Sequence, residues 1–413
     1  MQSFGRMCSV VALGLAASCA KSHAVPPFPV DSSRDGDASA DQDGSTDEHV
    51  HSRLARNIIV FMGDGMGADA LATGRYAAGG RLRLDVLAGP ALSTTDSLTT
   101  LRADPNNAPA TDSAASATAI AAGVLVENGV VSQMPEGAPL ETVLEVYKRA
   151  GKATGIVTTS MFYDASPAAF VSHQSARWNY APIVRETLGV TQVDVVMGAG
   201  VGVFDNPAEG LHEVAAAGGY AVVRNVTELS AWDPTRQPRL LGVFENLFRP
   251  NPGGEAYLMT PALERTASSS DPTLATMTER AIDRLSRDAD GFFLFAEDEA
   301  FDILGHRGTG DLEWANRAYP AQAMAFDAAV GVAIDWVLAH SSFDETLIVV
   351  LSDHETGGYR FDHMLGPSSG RFANSGVHTR TPIEVYALGP GSQSVLYVKT
   401  HLDTHLLLLG MLP

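Results

Sequence analysis

The stretch NIIVFMGDGMG, residues 57–67, joins an unbroken apolar run, Ile58 to Met62, to a glycine-rich turn that carries a single acid, Asp64. Apolar residues in succession, without polar alternation, suit a strand covered on both faces, as in a parallel sheet. Glycine on either side of Asp64 predicts a sharp turn at the carboxyl end of that strand. Open α/β sheets bind their ligands at that end, so Asp64 is a candidate ligand.

The same pattern recurs along the chain. Gly155 to Thr158, Val193 to Met197, Phe292 to Ala296 and Leu347 to Leu351 are wholly or nearly apolar runs. Between them, Leu140, Val143, Leu144 and Tyr147 fall at helical spacing, as do Phe326, Val330, Ile334 and Val337. This alternation predicts one large α/β domain over residues 56–413, with a mostly parallel central sheet and helices on both faces. No internal repeat is visible.

The run ATDSAASATAIAAG, residues 110–123, sets Asp112 and Ser113 at the head of a small-residue helix. An N-terminal position gathers unpaired N–H groups and the positive end of the macrodipole, so it favours phosphate and developing negative charge. An ordinary N-cap explains the local pattern equally well, and the rest of the chain has to decide. Polar residues follow the other apolar runs: Glu297, Asp302 and His306 after the fourth, Asp353 and His354 after the fifth, and His378 before the apolar stretch Ile383 to Leu388. Asp302 and His306, four apart, point the same way on a helical turn. Mixed Asp and His donors suit zinc, and an all-oxygen group such as Asp64, Glu297 and a hydroxyl suits magnesium. Together they make a candidate multi-metal site beside a serine nucleophile.

At 413 residues and 45% hydrophobic content the chain can bury a large core. Its net charge of −20 leaves no basic stripe to displace counterions, which excludes a phosphate-tracking nucleic-acid binder. Much of the charge lies in Asp31, Asp35, Asp37, Asp41, Asp43, Asp47 and Glu48, so residues 25–55 read as a disordered acidic tether. Residues 1–24 read as an export signal: Arg6 precedes a short apolar run, Val10 to Ala17, that ends in LAASC. Lipidation at Cys19 and simple cleavage after Ala24 both remain open, and either places the mature chain in the periplasm, on a membrane or outside the cell. Both cysteines, Cys8 and Cys19, fall within the signal, so the mature domain has no disulfide.

Taken together, NIIVFMGDGMG, TDSAASATA, DASPAAFVSHQSAR, FAEDEAFDILGH, SDHETGG and the pair His378-Thr379 resemble, in order, the alkaline phosphatase family from about Asn57 onward. The resemblance implies that Ser113 is a nucleophile that becomes transiently phosphorylated and that Arg177 clamps the phosphate. It implies one zinc on Asp302, His306 and His378, and a second on Asp64, Asp353 and His354. It also implies a magnesium on Asp64, Ser166 and Glu297, with Asp164 reaching its waters. Substrates would be small phosphorylated compounds, with inorganic phosphate as product, and the chain would act as a monomer or homodimer. A phosphodiesterase or phosphonate hydrolase on the same scaffold, or a non-catalytic phosphate-binding lipoprotein, are the alternatives.

Departures from the family pattern matter as well. Ser166 replaces the usual threonine, keeping the hydroxyl. Ile303 follows Asp302, where many members carry a charged or aromatic residue near phosphate. Only a short glycine-rich stretch separates His354 from His378, which predicts a small or absent crown insertion.

Overall fold

A computed structural model describes residues 55–245, 259–373 and 376–410. The expected export signal, its Cys8 and Cys19, and nearly all of the tether lie outside the described residues. So does the middle of the stretch 225–261, to which the sequence assigns no role.

The apolar runs become β1 (Asn57–Gly63), β3 (Ala153–Met161), β4 (Val195–Ala199), β7 (Phe292–Asp298) and β8 (Thr346–Leu351), with β2 (Ala88–Ser93), β5 (Tyr220–Val223) and β6 (Arg239–Phe244) between them in sequence. Short strands β9 (Glu355–Thr356), β10 (Tyr359–Arg360), β11 (Arg371–Phe372) and β12 (His378–Thr379) precede β13 (Ile383–Leu388). Among the described residues, nine strands form one sheet in the order β2-β13-β8-β1-β7-β3-β4-β6-β5. The five runs read from sequence are thus its five contiguous central strands, all paired in parallel. Only β13 is antiparallel to its neighbours, β8 and β2.

Both faces of the sheet are covered, as unbroken apolar runs require. Ile58, Val60 and Met62 point into one core with Ala114 and Ala117 of the helix Ser113–Ala122 and with Val143 and Leu144. Ile59 and Phe61 point into the other, with Phe326, Val330, Ile334 and Val337 of the helix Leu312–His340. On β7, Phe295 is fully buried and stacks on Phe170 at 4.3 Å between ring centroids. Its loss leaves a cavity in the middle of the sheet, so Phe295→Ala should cost about 3–5 kcal/mol. Chemical denaturation checks this as a lowered unfolding midpoint.

Two boundaries differ from the sequence reading. The helix expected from Leu140 begins at Val143, because Thr142 and Glu145 close a reciprocal capping box there and Leu140 donates its N–H to Ser132 O instead. β4 begins at Val195 rather than Val193. In and just after the short glycine-rich stretch that follows His354, small two-residue strands pair off, β12 with β9 and β10 with β11.

Candidate active site

Ser113 is the first residue of its helix, and the preceding Asp112 is the N-cap: its Oδ1 accepts from Ala115 N at 3.0 Å. Every residue from Ser113 to Ala121 is buried, which explains the small-residue composition. A helix enclosed on all sides cannot carry long side chains. Asp112 is therefore the cap, and Ser113 is left with its hydroxyl free to face the site. The Oγ of Ser113 lies 3.3 Å from His354 Nε2.

His354 follows β8 and is fully buried. Its Nε2 stands 3.1 Å from Asp353 Oδ2 and 3.7 Å from Asp64 Oδ1. Asp353 Oδ1 accepts from Gly65 N at 3.0 Å, tying the turn after β1 to the turn after β8. Gly65 has φ +72, and a Cβ there would sit 2.5 Å from Asp302 Cα. Glycine is thus needed twice over: for the left-handed backbone and for the close approach that puts Asp64 beside Asp302.

Asp302 and His306 lie on the helix Ala300–Gly308 that follows β7. His306 Nε2 is 3.2 Å from Asp302 Oδ2, and His378 Nε2 is 3.4 Å from Asp302 Oδ1. Both imidazoles are oriented by carbonyls: His306 Nδ1 donates to Gly376 O at 2.6 Å, and His378 Nδ1 to Thr111 O at 2.9 Å. A carbonyl only accepts, so Nδ1 carries a proton and Nε2 is the nitrogen turned to the acid; without a metal Nε2–H donates to Asp302, and a cation that displaces that proton would find the Nε2 lone pair already aimed at it. The rings of His354 and His378 stack at 3.7 Å, which joins this group to the preceding one. Asp302, His354 and His378 offer donor atoms within 4.8 Å of one another, and so do Asp64, Asp353 and His354.

Deeper in, Ser166 Oγ donates to Asp64 Oδ2 at 3.3 Å and Thr158 Oγ1 to Glu297 Oε2 at 2.6 Å. Asp64, Glu297 and Glu299 form a third set with donor atoms within 4.8 Å. Glu299 was not singled out from sequence. It stands two residues beyond Glu297, and the period-two rule of a strand would have put both on one side. Asp164 caps the short helix Ala165–Ala169 and pairs with Arg177 Nη2 at 3.1 Å. Arg177 Nη1 reaches Asp112 Oδ2 at 3.3 Å, so the arginine is held between the acid before Ser113 and the acid before Ala165. A cleft of 1040 Å³ is lined by Ser113, Asp164, Arg177, Asp302, His306 and His378, among others. All the residues singled out from sequence are brought to this one end of the sheet.

The electrostatics call for cations. Burial, and then the charges of Asp353, Glu299, Asp302 and Glu297, hold the Asp64 carboxyl well above the usual carboxylate range. Burial pushes Glu297 up to about 8, against the hydrogen bond from Thr158, and lifts Asp353 to about 6. Burial would also raise Asp302, but hydrogen bonds from His306 and His378 outweigh it and hold that group well below its ordinary value. His378 is raised to about 9: burial opposes the charged form, and the Asp302 carboxylate more than compensates. His354 is held well below its ordinary value by burial and then by the charge of His378. Asp64 Oδ1 and Glu297 Oε1 are buried without any hydrogen-bond partner. Buried carboxylate oxygens without donors are costly, and a divalent cation is the partner their chemistry fits.

Clustered carboxylates and oriented imidazoles at the carboxyl edge of a mostly parallel sheet define a metal-binding α/β protein. The family model described as alkaline phosphatase matches residues 55–399, and the chain belongs to the alkaline phosphatase family. Alkaline phosphatase 3 of Bacillus subtilis is 32% identical over 311 residues, which cover 74% of this chain and 62% of that protein. The alkaline phosphatase of Escherichia fergusonii is 30% identical over 427 residues, covering 88% of this chain and 87% of that one. The solved alkaline phosphatase of the Antarctic bacterium TAB5 superposes with a TM-score of 0.71 at 21% identity, over 87% of this chain and 98% of that chain. The last likeness bears on the fold alone. The chain spans 62% of the length of the first of these relatives.

Proposed function

We propose that the chain hydrolyses phosphate monoesters, with Ser113 as the nucleophile. The observation that carries this reading is the Ser113 hydroxyl, at a helix N-terminus and 3.3 Å from His354, inside a buried set of acids and imidazoles. Asp302, His306 and His378 would hold one zinc, Asp64, Asp353 and His354 a second, and Asp64, Ser166 and Glu297 a magnesium, with Asp164 beside it. When bound, these cations supply the positive charge that a serine alkoxide and a phosphate dianion need in a site otherwise dominated by carboxylates.

The rest falls to the protein's own groups. Ser113 Oγ attacks phosphorus, forming a serine phosphate and breaking the P–O bond to the alcohol, which leaves with a proton. Water then breaks the serine–phosphorus bond and regenerates the hydroxyl. The N–H groups at the start of the helix Ser113–Ala122 favour the anion throughout. Arg177 has five N–H donors, two of them engaged by Asp112 and Asp164, and offers the others to phosphate oxygens. Its Nε is buried with no partner. The two acids fix the guanidinium plane before substrate arrives. Export directed by residues 1–24 belongs to the same reading and rests on the sequence.

A diester has one fewer free oxygen for Arg177 to hold, and so the monoester is favoured. With one leaving alcohol in both, kcat/KM on the monoester should exceed that on the diester by about 10²-fold, the scale of a lost transition-state donor. Arg177→Ala should reduce the monoester rate by a similar factor and narrow the gap. A diester preference in the wild-type chain would replace this reading with the phosphodiesterase one.

A further inference from the structure

We propose that Glu299 is a direct oxygen ligand of a hard divalent cation held with Asp64 and Glu297, making the third cation site a three-carboxylate cage selective for magnesium. This rests on the reading above that Asp64 and Glu297 hold magnesium.

Strand geometry brings the side chains together. Glu297 is near the end of β7 and Asp298 is the next residue. Asp298 turns to the opposite layer, where it accepts from Gln322 Nε2 at 2.6 Å and Thr159 Oγ1 at 3.2 Å. Glu299 returns to the side of Glu297, and its donor oxygen comes within 4.8 Å of those of Asp64 and Glu297. Its backbone is pinned there, with Glu299 N donating to Thr159 Oγ1 at 3.0 Å.

Among the described residues the Glu299 carboxylate makes no hydrogen bond or close ion pair, although its charge acts on Arg177. Glu299 occupies the N-cap position of the helix Ala300–Gly308, yet it makes no side-chain capping hydrogen bond. The first-turn N–H of Ala300 is accepted by Asp298 Oδ1 at 3.1 Å, so the Glu299 carboxylate is not needed as a cap. The independent sign of a ligand is the orphaned oxygen beside it: Glu297 Oε1 is buried with no donor, whereas the likewise unpartnered Asp64 Oδ1 lies 3.7 Å from His354 Nε2, on the side of the second zinc set. One cation between the three side chains would satisfy Glu297 Oε1 and neutralise most of the charge.

The donor set fixes the kind of cation. All the donors are oxygens, with the Ser166 hydroxyl 3.3 Å from Asp64 as a further one, and no imidazole belongs to the set. Hard oxygen donors select magnesium over zinc. Magnesium sites commonly use one or two carboxylates and keep several waters. A third carboxylate replaces one water and leaves a net negative cage that retains the ion without help from substrate phosphate.

The test is calorimetric titration of magnesium chloride into zinc-reconstituted, magnesium-free protein. Glu299→Gln should raise the Kd for magnesium at least ~10-fold and remove most of the magnesium-induced rise in Tm. In magnesium-free buffer its Tm should equal or exceed that of the wild type, because one buried charge is gone. Should the glutamine variant not fold, Glu299→Asp keeps the charge but withdraws the oxygen by one methylene, and the same weakening is expected. A Kd within twofold of wild type in the folded variant overturns the assignment. Tighter binding of inorganic phosphate with unchanged magnesium affinity also overturns it, making Glu299 a charge that faces Arg177 instead. Glu297→Gln separates the two levels of the argument. If it weakens magnesium binding while Glu299→Gln does not, only the third ligand fails. If neither weakens it, the magnesium reading of the group fails as well.

Discussion

Ser113→Ala protein releases phosphate from an aryl phosphomonoester at least ~10³-fold more slowly than the wild type, the scale on which loss of a nucleophile acts. The substitution removes one oxygen and little else. Ser113 Oγ has a hydrogen bond to His354 Nε2 at 3.3 Å, and that nitrogen keeps Asp353 Oδ2 at 3.1 Å when the hydroxyl is gone. Alanine is the best helix former, and the position is already enclosed by Ala114, Ala115 and Ala117. Stability should therefore change by no more than about 1 kcal/mol, so a loss of rate reports chemistry rather than unfolding. Acid quenching during turnover should trap phosphate on Ser113 in the wild type, seen by peptide mass spectrometry, and not in the variant. Near-normal turnover by the alanine variant would show that another group attacks phosphorus.

Removal of bound metal by a chelator should lower turnover by about 10³-fold, corresponding to several kcal/mol of transition-state charge stabilisation, and zinc with magnesium should restore it. The stripped protein should also acquire a distinctive pH dependence. Glu297 is raised from 4.5 to about 8 when folded. Between those values folding takes up a proton, and stability falls as pH rises. His378, raised from 6.5 to about 9, acts in the same direction: its contribution is fully present below 6.5 and is lost as pH rises through 9. His354 is depressed and acts oppositely, but its contribution is complete above its unfolded value of 6.5. From pH 7 to 9 the Tm of the stripped protein should therefore decrease. Metal-loaded protein should not show this decline, because cations satisfy the carboxylates and compete with their protons. Equal slopes for the two forms in differential scanning calorimetry would mean that the cluster does not bind the metals.

Much of the framework was legible because burial leaves a local trace. Strands covered on both faces must be apolar at consecutive positions, and the five runs singled out on that ground are the five central strands; β6, buried from Leu240 to Phe244 and free of polar side chains there, has the same property and was passed over. The edge strands were less visible. β2 is mostly exposed and carries Gly89 and Pro90, and β5 is an apolar run of four residues that is only partly buried. The helix start at Val143 depended on the Thr142–Glu145 capping box, a stronger local signal than the apolar spacing that suggested Leu140.

The site was legible in its parts and not in its connections. Asp302 and His306 on one helical turn follow from spacing alone. Glu299 escaped notice because Glu297, Asp298 and Glu299 look alike as a string. Only the direction of each side chain separates Asp298, which holds Gln322, from the two glutamates that meet Asp64. Likewise, nothing local to Arg177 announces that Asp112 and Asp164 grip it from two different helix starts.

What the sequence determined by itself is therefore periodicity and chemistry: which runs are doubly covered strands, which helix is small enough to be enclosed, and which side chains can offer oxygen or imidazole donors. These are properties of neighbours along the chain. The tertiary structure alone decided which donors share an ion, because that depends on strand order and register. Pairing β1 between β7 and β8 brings Asp64, Asp302 and Asp353 to one edge, and the Ser113 helix packed on that sheet sets its hydroxyl beside His354, 241 residues away. Contacts at such separation arise from burying the two sheet faces, and no short stretch of sequence encodes them.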